Sequence, residues 1–516
     1  MAAEPRTAQE ILFAEVPVEK FDILTREELI EFARLEQKFR IKLQKEVERL
    51  RAFNEELKQK TFFIEEKYVT VKNKFFGKSS EREAPSGGSR TQDPKSPKKK
   101  IQLPSERYPE APLIERHVEL EELPNCRCCG KRMKDSGMTE DSEFLTVIPA
   151  QYLVVCQRRH KYSCTSCYGD VQTAPAPPTI KSGSSYSDEM KVDVALSKYC
   201  DLIPVERYAA IASREGLKDL PPQSLIESTH HVADFVEGAY EQVQAEALES
   251  RVLHADETPH RMLEGDDKKS WYLWGFSNEK ASYLEIHNTR SGEVASDFLA
   301  KASCEYLVSD VYSGYGKAVR EANVLRREKG LPTISHAYCN AHSRRKFKEA
   351  EVFEDEARFF IDAYKDIYSL ENRIRGKPPD DILRTRREMA PLFEGMKTRA
   401  MARLPAVPSK SAIGKAFAYF LENYAGLTLF LKDPALPIDN NAQERLLRNP
   451  VIGRKTWYGT HSKRGARTTA ILFSLVESCK LNGVNPREYF KCLVQDLHLE
   501  KFPYSPHQFK LAQRAT

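Results

Sequence analysis

Between residues 251 and 316 the sequence passes through three short apolar, β-branched runs, "RVLHADETPH", "SWYLWGFSN" and "SYLEIHNTR". A helical stretch follows from about Gly292, and then a fourth strand-like run, "CEYLVSDVYSGYG". Runs of this length, bounded by Gly, Asn and Ser, read as strands. This order of three strands, a helix and a fourth strand constrains the fold more than anything else in the chain. An aspartate stands at the end of the first strand, Asp256, and another at the end of the fourth, Asp310.

That order is the order of an RNase H-like core, in which a third carboxylate comes from a later helix beside the first strand. The stretch "PIDNNAQERLLRNP" offers it as Glu444, placed among arginines. Glu444 and Arg448 also have the spacing of a favourable helical ion pair, worth roughly 0.2–0.5 kcal/mol. A lone strand-end aspartate is more often a turn or cap residue. Two in this order, with a glutamate in a basic helix, are harder to obtain by chance. Three such carboxylates suit in-line phosphodiester chemistry served by two Mg²⁺ ions, because hard divalent ions take oxygen ligands. Without metal the carboxylates repel, and at least one pKa should rise. His254 and Glu257 flank Asp256 and are read as turned to the other face. Asp439 rivals Glu444, but its Asp-Asn-Asn setting reads as the helix N-cap.

The rest of the chain is organised around this core. At 516 residues, with 41% hydrophobic and 30% charged positions, it divides into several units. The net charge of +5 says little, because the cations lie in blocks. No run approaches a membrane span, and the first residues have no signal pattern. After an N-terminal segment (1–24), "TREE" is a capping box. Leu43, Leu50 and Leu57 then repeat by sevens with Val47 and Asn54 between them, which reads as a coiled coil over 25–75; a single packed amphipathic helix is the alternative. The Ser-, Pro- and Lys-rich segment 76–110 is a flexible basic linker. Over 111–180, Cys126 and Cys129 form one Cys-x-x-Cys pair and Cys164 and Cys167 another, the spacing of a zinc ribbon holding one structural Zn²⁺. Cys128 competes with Cys126 for the first position. The alternating run between the pairs reads as a hairpin, with Arg158, Arg159, His160 and Lys161 as a basic edge.

Residues 181–249 read as helical, with a helix-turn-helix-like pair that any helical hairpin would share. The core then occupies 250–345 and 436–485, and 486–516 is a C-terminal tail. Asp310 follows Asp256 by 54 positions, but Glu444 follows Asp310 by 134, so an α-helical insertion is placed at 346–435. Cations gather near the carboxylates in sequence: Arg344, Arg345, Lys346, Arg445, Arg448, Arg454, Lys455, Lys463, Arg464 and Arg467. They are read as phosphate contacts. Trp457 and Tyr458 could stack on an unpaired base, though a Trp in such a place is more often core.

"LHADETP", "SDVYSGY", "HAYCNAHSRRKF" and the long stretch from "IDNNAQERLLRNP" to "NPREYF" resemble the motifs of the insertion sequence 66 family of bacterial DDE transposases. The resemblance runs over roughly residues 25 to 495. It implies that Asp256, Asp310 and Glu444 form the DDE triad, that two Mg²⁺ (or Mn²⁺) ions serve it, and that the chain cuts transposon ends and joins them to target DNA. It further implies a homodimer or higher oligomer through the coiled coil, accessory proteins of the same element, and a location in the cytoplasm at the bacterial nucleoid. Two other functions fit the same residues: an RNase H-like nuclease or resolvase without strand transfer, and a zinc-ribbon DNA-binding regulator with inert carboxylates.

Overall fold

The computed structural model describes residues 103–109, 112–115, 125, 127–132, 142–146, 151–163, 171–263, 270–350, 356–407, 409 and 411–515, with scattered helical positions between 26 and 47. The coiled-coil heptad residues Leu43, Leu50, Asn54 and Leu57 lie outside the described residues, as do Cys126, Cys164 and Cys167. The chain divides into two compact units, 1–145 and 146–516. In the first, the single-turn helix Pro104–Arg107 is held where Ser105 donates through its N–H and its hydroxyl to Glu143, each at 2.7 Å. Cys129 is exposed there.

The second unit opens with a small antiparallel pair, β1 (Lys161–Ser163) and β2 (Val171–Thr173). Of the alternating run 142–163 read as a hairpin, only the end, Lys161–Ser163, is a strand among the described residues; 151–160 carries none, and Leu153, Val154 and Val155 stay exposed. Alternation produces a strand only where a neighbour pairs with it and one face is covered. Here the Ala174 N–H donates to the His160 carbonyl and Tyr152 packs edge-on against Tyr208, while Leu153, Val154 and Val155 are left uncovered. Four helices follow: α1 (Asp188–Tyr199), α2 (Val205–Arg214), α3 (Pro222–Phe235) and α4 (Glu237–Leu248).

Five strands build the central sheet: β3 (Val252–Arg261), β4 (Ser270–Ser277), β5 (Ser282–His287), β6 (Tyr306–Ser309) and β7 (Ser335–Tyr338). Their order across the sheet is β5-β4-β3-β6-β7. β3, β4 and β5 are antiparallel neighbours, which short loops can join, whereas β6 and β7 run parallel to β3. Parallel neighbours require crossovers of helical length. α5 (Gly292–Leu299) provides the first, and α6 (Ser313–Glu328) the second.

Between β7 and the next core helix, α7 (Asn340–Ala350), α8 (Glu356–Arg373), α9 (Pro379–Arg403) and α10 (Ala412–Glu422) enclose an aromatic core of their own. In it Phe347 stacks on Phe360 at 4.3 Å, and Phe393 and Phe417 are fully buried. The chain then returns as α11 (Asn441–Trp457) and α12 (Lys463–Asn482), and ends with α13 (Pro486–His498) and α14 (Pro506–Ala515).

The main core joins the sheet to α1, α3, α4, α12 and α13 in one apolar cluster around Trp274, Phe276, Tyr240 and Tyr489. α12 also covers the sheet's edge. Ser282 and Leu284 of β5 donate their N–H groups to the hydroxyls of Ser478 and Ser474, at 2.9 and 2.8 Å. An edge strand with open N–H groups would invite another strand, and the two serines prevent that. Trp457 packs beside Tyr199 and Phe473, whereas Tyr458 is exposed at the left-handed helix end.

Candidate active site

Asp256 lies in the central strand, and Asp310 lies one residue past the end of its parallel neighbour. The register pairs His254 with Val308. Two residues further along, that register sets Asp256 level with Asp310. Side chains alternate faces along a strand with a period of two, so His254 shares the face of Asp256, and only Glu257 turns away. The expectation for His254 is thereby corrected.

The α11 side of the sheet is built around that shared face. His254 Nδ1 is 2.7 Å from Asn440 Oδ1, and Asn440 Nδ2 donates to the Ala255 carbonyl at 2.8 Å. Asn440, not Asp439, occupies the N-cap position. Asp439 stands one residue earlier. Its carboxylate accepts from the Asn441 N–H at 3.1 Å, the Asn441 amide at 2.6 Å and the Tyr368 hydroxyl at 3.0 Å. One turn into the helix, the buried Gln443 accepts a hydrogen bond from Ser277. Opposite Asp256 in the ladder is Gly275, where a Cβ would collide with the Gln443 amide. A side chain at 275 would therefore displace the buried Gln443 side chain and its contact with Ser277. With glycine there, Glu444 comes down beside the two aspartates.

Burial first, and then the charges of Glu257, Asp310 and Glu444, push the Asp256 carboxyl up to about 8. Its Oδ1 accepts from the Glu257 N–H at 3.0 Å. Asp310 Oδ1 accepts from the Tyr312 N–H at 3.0 Å. On the opposite face Glu257 is held by Arg290 at 2.6 Å and by the Tyr315 hydroxyl at 2.6 Å. Burial raises its pKa, against those two hydrogen bonds.

Glu444 makes no ion pair with Arg448; its Oε1 lies 3.8 Å from His342 Nδ1. Together with Cys339 these residues bring three ligand-type atoms within 4.8 Å of one another, the one such set among the described residues. Asp256, Asp310 and Glu444 do not approach each other that closely. They are linked by charge at Asp256.

The cations separate into two groups. Arg344, Arg345 and Lys346 on α7, Arg445, Arg448 and Lys455 on α11, and Lys463 at the start of α12 are exposed. Arg344 and Arg345 line a cavity of about 610 Å³ together with Lys348, Lys365 and Tyr368. By contrast Arg464 pairs with Glu227 and Asp234 of α3 at 2.6 and 2.9 Å, and Arg467 with Glu237 of α4 at 2.6 Å. Arg454 donates to Thr258 at 3.2 Å. In this structure these three serve the fold.

A sequence profile described as "Transposase IS66 family" matches residues 183–468, more than half of the chain. The chain belongs to the IS66 transposase family. All three acidic residues, and Cys339 and His342, fall inside the matched region. Similar proteins from Sinorhizobium fredii (strain NBRC 101917 / NGR234) include "Uncharacterized protein y4hP", 26% identical over 401 residues, 73% of this chain and 71% of the relative. "Uncharacterized protein y4jD" is 27% identical over 376 residues, covering 70% of this chain and 72% of its own. "Uncharacterized protein y4qI" is 29% identical over 367 residues, covering 67% and 66%. Membership of the IS66 family carries a transposase role in general and implies DNA as the partner. No helix among the described residues is long and apolar enough to cross a membrane.

Sequence reasoning missed Asn440, Gln443 and Gly275 as builders of this site, and Cys339 and His342 as neighbours of Glu444. The Cys-x-x-His spacing in "HAYCNAHSRRKF" was the available signal for the last two.

Proposed function

We propose that this transposase cuts transposon ends and joins them to target DNA with Asp256, Asp310 and Glu444 as its metal-holding carboxylates, on an RNase H-like core. The carboxyl of Asp256 carries the reading. It is drawn up to about 8 by burial together with acidic side chains from its own strand, from the end of β6 and from α11. Crowding acids in a buried place is unfavourable unless a cation offsets them, so the residues fit divalent ions. The buried, unpartnered Glu444 Oε1 fits the same reading. When bound, two such ions would stabilise the attacking and leaving oxygens of an in-line displacement.

The chain's own residues do the remaining work. β3 and β6 fix the two aspartates on neighbouring strands, and Asn440 and Gln443 seat α11 so that Glu444 stays beside them. The exposed cations of α7 and α11 hold phosphates by contacts that carry no sequence information. The strand order, with one antiparallel wing and two parallel strands on the other side of β3, supports the RNase H-like reading. The helical insertion reaches the same place through Arg386, which donates to the carbonyls of Phe430, Asp433 and Leu436 on the approach to α11.

The test is Asp256→Asn in a cleavage assay on DNA carrying the element's terminal repeats, with Mg²⁺. Strand cleavage is expected to disappear while end binding persists; full cleavage by the variant would overturn the assignment. Recovery of labelled 3′-ends joined to plasmid DNA distinguishes a transposase from a nuclease that only cuts.

A further inference from the structure

We propose that Cys339, His342 and Glu444 form a distinct cation site for a borderline-soft divalent ion of the zinc class, which takes up the same glutamate that the hard-ion site needs. The donor set decides the class. A thiolate, an imidazole and a carboxylate are zinc ligands, whereas Mg²⁺ selects oxygen alone. Their ligand atoms lie within 4.8 Å of one another.

Two of the three atoms lack any other partner. His342 Nδ1 and Glu444 Oε1 are both buried without a hydrogen bond. Burying such atoms unpaired costs about 1–3 kcal/mol each, and a shared ion would satisfy both together. The side chains of His342 and Glu444 are otherwise 28% and 32% exposed, so the site is open on one side for entry and for a water as fourth ligand.

The local fold also positions the ligands before any ion arrives. Cys339 stands at the junction of β7 and α7, and His342 follows it by three residues, on the first turn of that helix. The Asn440 N–H donates to Cys339 Sγ at 3.2 Å, and Asn340 donates through its own N–H and its side-chain amide to the Ile438 carbonyl at 3.2 and 3.0 Å. The N-terminal ends of α7 and α11 are thus tied together, and their positive ends favour anionic ligands. On binding, the thiol proton leaves to solvent and the sulfur coordinates as thiolate.

The site stands on this geometry alone. Its consequence rests on the proposed function: with Glu444 ligated here, zinc-class ions inhibit Mg²⁺-dependent cleavage.

The experiment is a Co²⁺ titration of the full chain, read by the thiolate-to-cobalt charge-transfer absorption. The paired cysteines upstream, if they form the expected zinc ribbon, would take cobalt as well, so the readout is the difference between the wild type and two variants, Cys339→Ser and His342→Asn. One equivalent of cobalt and its share of the band are expected to disappear in both. Unchanged stoichiometry and spectrum in His342→Asn, whose partly exposed side chain makes misfolding a lesser concern, would overturn the site even where Cys339→Ser does not fold. The wild type is then assayed for cleavage with Mg²⁺ while Zn²⁺ is added. Inhibition over the range that displaces the variant-sensitive cobalt supports the shared glutamate, and cleavage unaffected there overturns that consequence. If the wild type cleaves nothing at any zinc level, the transposase reading fails, and the cobalt difference still decides the site.

Discussion

α11 and α12 are consecutive helices of one uninterrupted basic stretch, yet they are attached to the molecule by opposite means. α11 is seated on the sheet by buried polar contacts, with Asn440 on the Ala255 carbonyl and on His254, and Gln443 against Ser277 above Gly275. This leaves several of its cations facing outward. α12 is seated by apolar packing and by its serines on β5, and its arginines close onto the acidic residues of α3 and α4. Cations that look equivalent in sequence are thus placed in two ways: Arg445, Arg448 and Lys455 of α11 face outward, whereas Arg464 and Arg467 of α12 join one layer of the protein to another.

The comparison can be tested, and the largest effect is expected where α11 meets the sheet. Gly275→Ala drives a methyl into Gln443 and should cost about 1–3 kcal/mol in chemical denaturation, with loss of cleavage because Glu444 moves. A variant that melts and cleaves like the wild type would show that close seating is not needed. The second test is Arg344→Ala, Arg345→Ala, Arg445→Ala and Arg448→Ala combined. Affinity for random duplex DNA is expected to fall roughly tenfold or more, and the salt slope to become shallower by roughly 0.9 for each phosphate no longer neutralised. An unchanged salt slope in a filter-binding or anisotropy titration would remove α7 and α11 from the DNA surface.

A third test uses pH. In the folded protein Asp256 keeps its proton up to about 8, against an ordinary value of 3.8. Between those values the folded state binds more protons than the unfolded one, so this contribution to stability is complete below the lower value and is lost as pH rises towards 8. Asp256→Asn in chelator should therefore melt above the wild type at pH 8, with the gap narrowing towards pH 5. A constant gap in calorimetry would mean that the acids do not crowd. The smallest effect belongs to Arg464→Ala with Arg467→Ala. Their pairs are exposed and worth about 0.2–1 kcal/mol each, so stability should drop slightly and DNA affinity hardly at all. A large loss of affinity would erase the distinction between the helices.

Much of this was legible in sequence. The runs read as strands contain β3, β4, β5 and β6, and Asn stops β4 and β5. But β3 continues five residues past Asp256, which therefore sits within the strand and not at its end, and only Tyr306–Ser309 of the fourth run is a strand. β7 was not legible: "SHAY" has no β-branched residue, and it is a strand because β6 offers it a parallel partner. The reverse error fell on 151–160, where the alternation is present but Leu153, Val154 and Val155 stay exposed. The proposed carboxylates were picked out by their order along the chain, and the register that sets Asp256 level with Asp310 agrees with that order. What could not be read was the orientation of Glu444, because that depends on His342 and on a glycine in a distant strand. Nor could the pairing of Arg464 and Arg467, whose acidic partners Asp234 and Glu237 each lie 230 positions earlier.

Because α11 reaches its place only after the insertion has been made, the three acids come off the ribosome far apart. Glu444 is encoded 134 positions after Asp310. Arg386, buried in α9, donates to the carbonyls of Phe430, Asp433 and Leu436 leading into α11, so those contacts need the insertion to be present. A nascent or prematurely ended chain can therefore hold both aspartates and still have no third acid. Under the proposed function, the order of synthesis would itself withhold cleavage until the segment carrying Glu444 has folded.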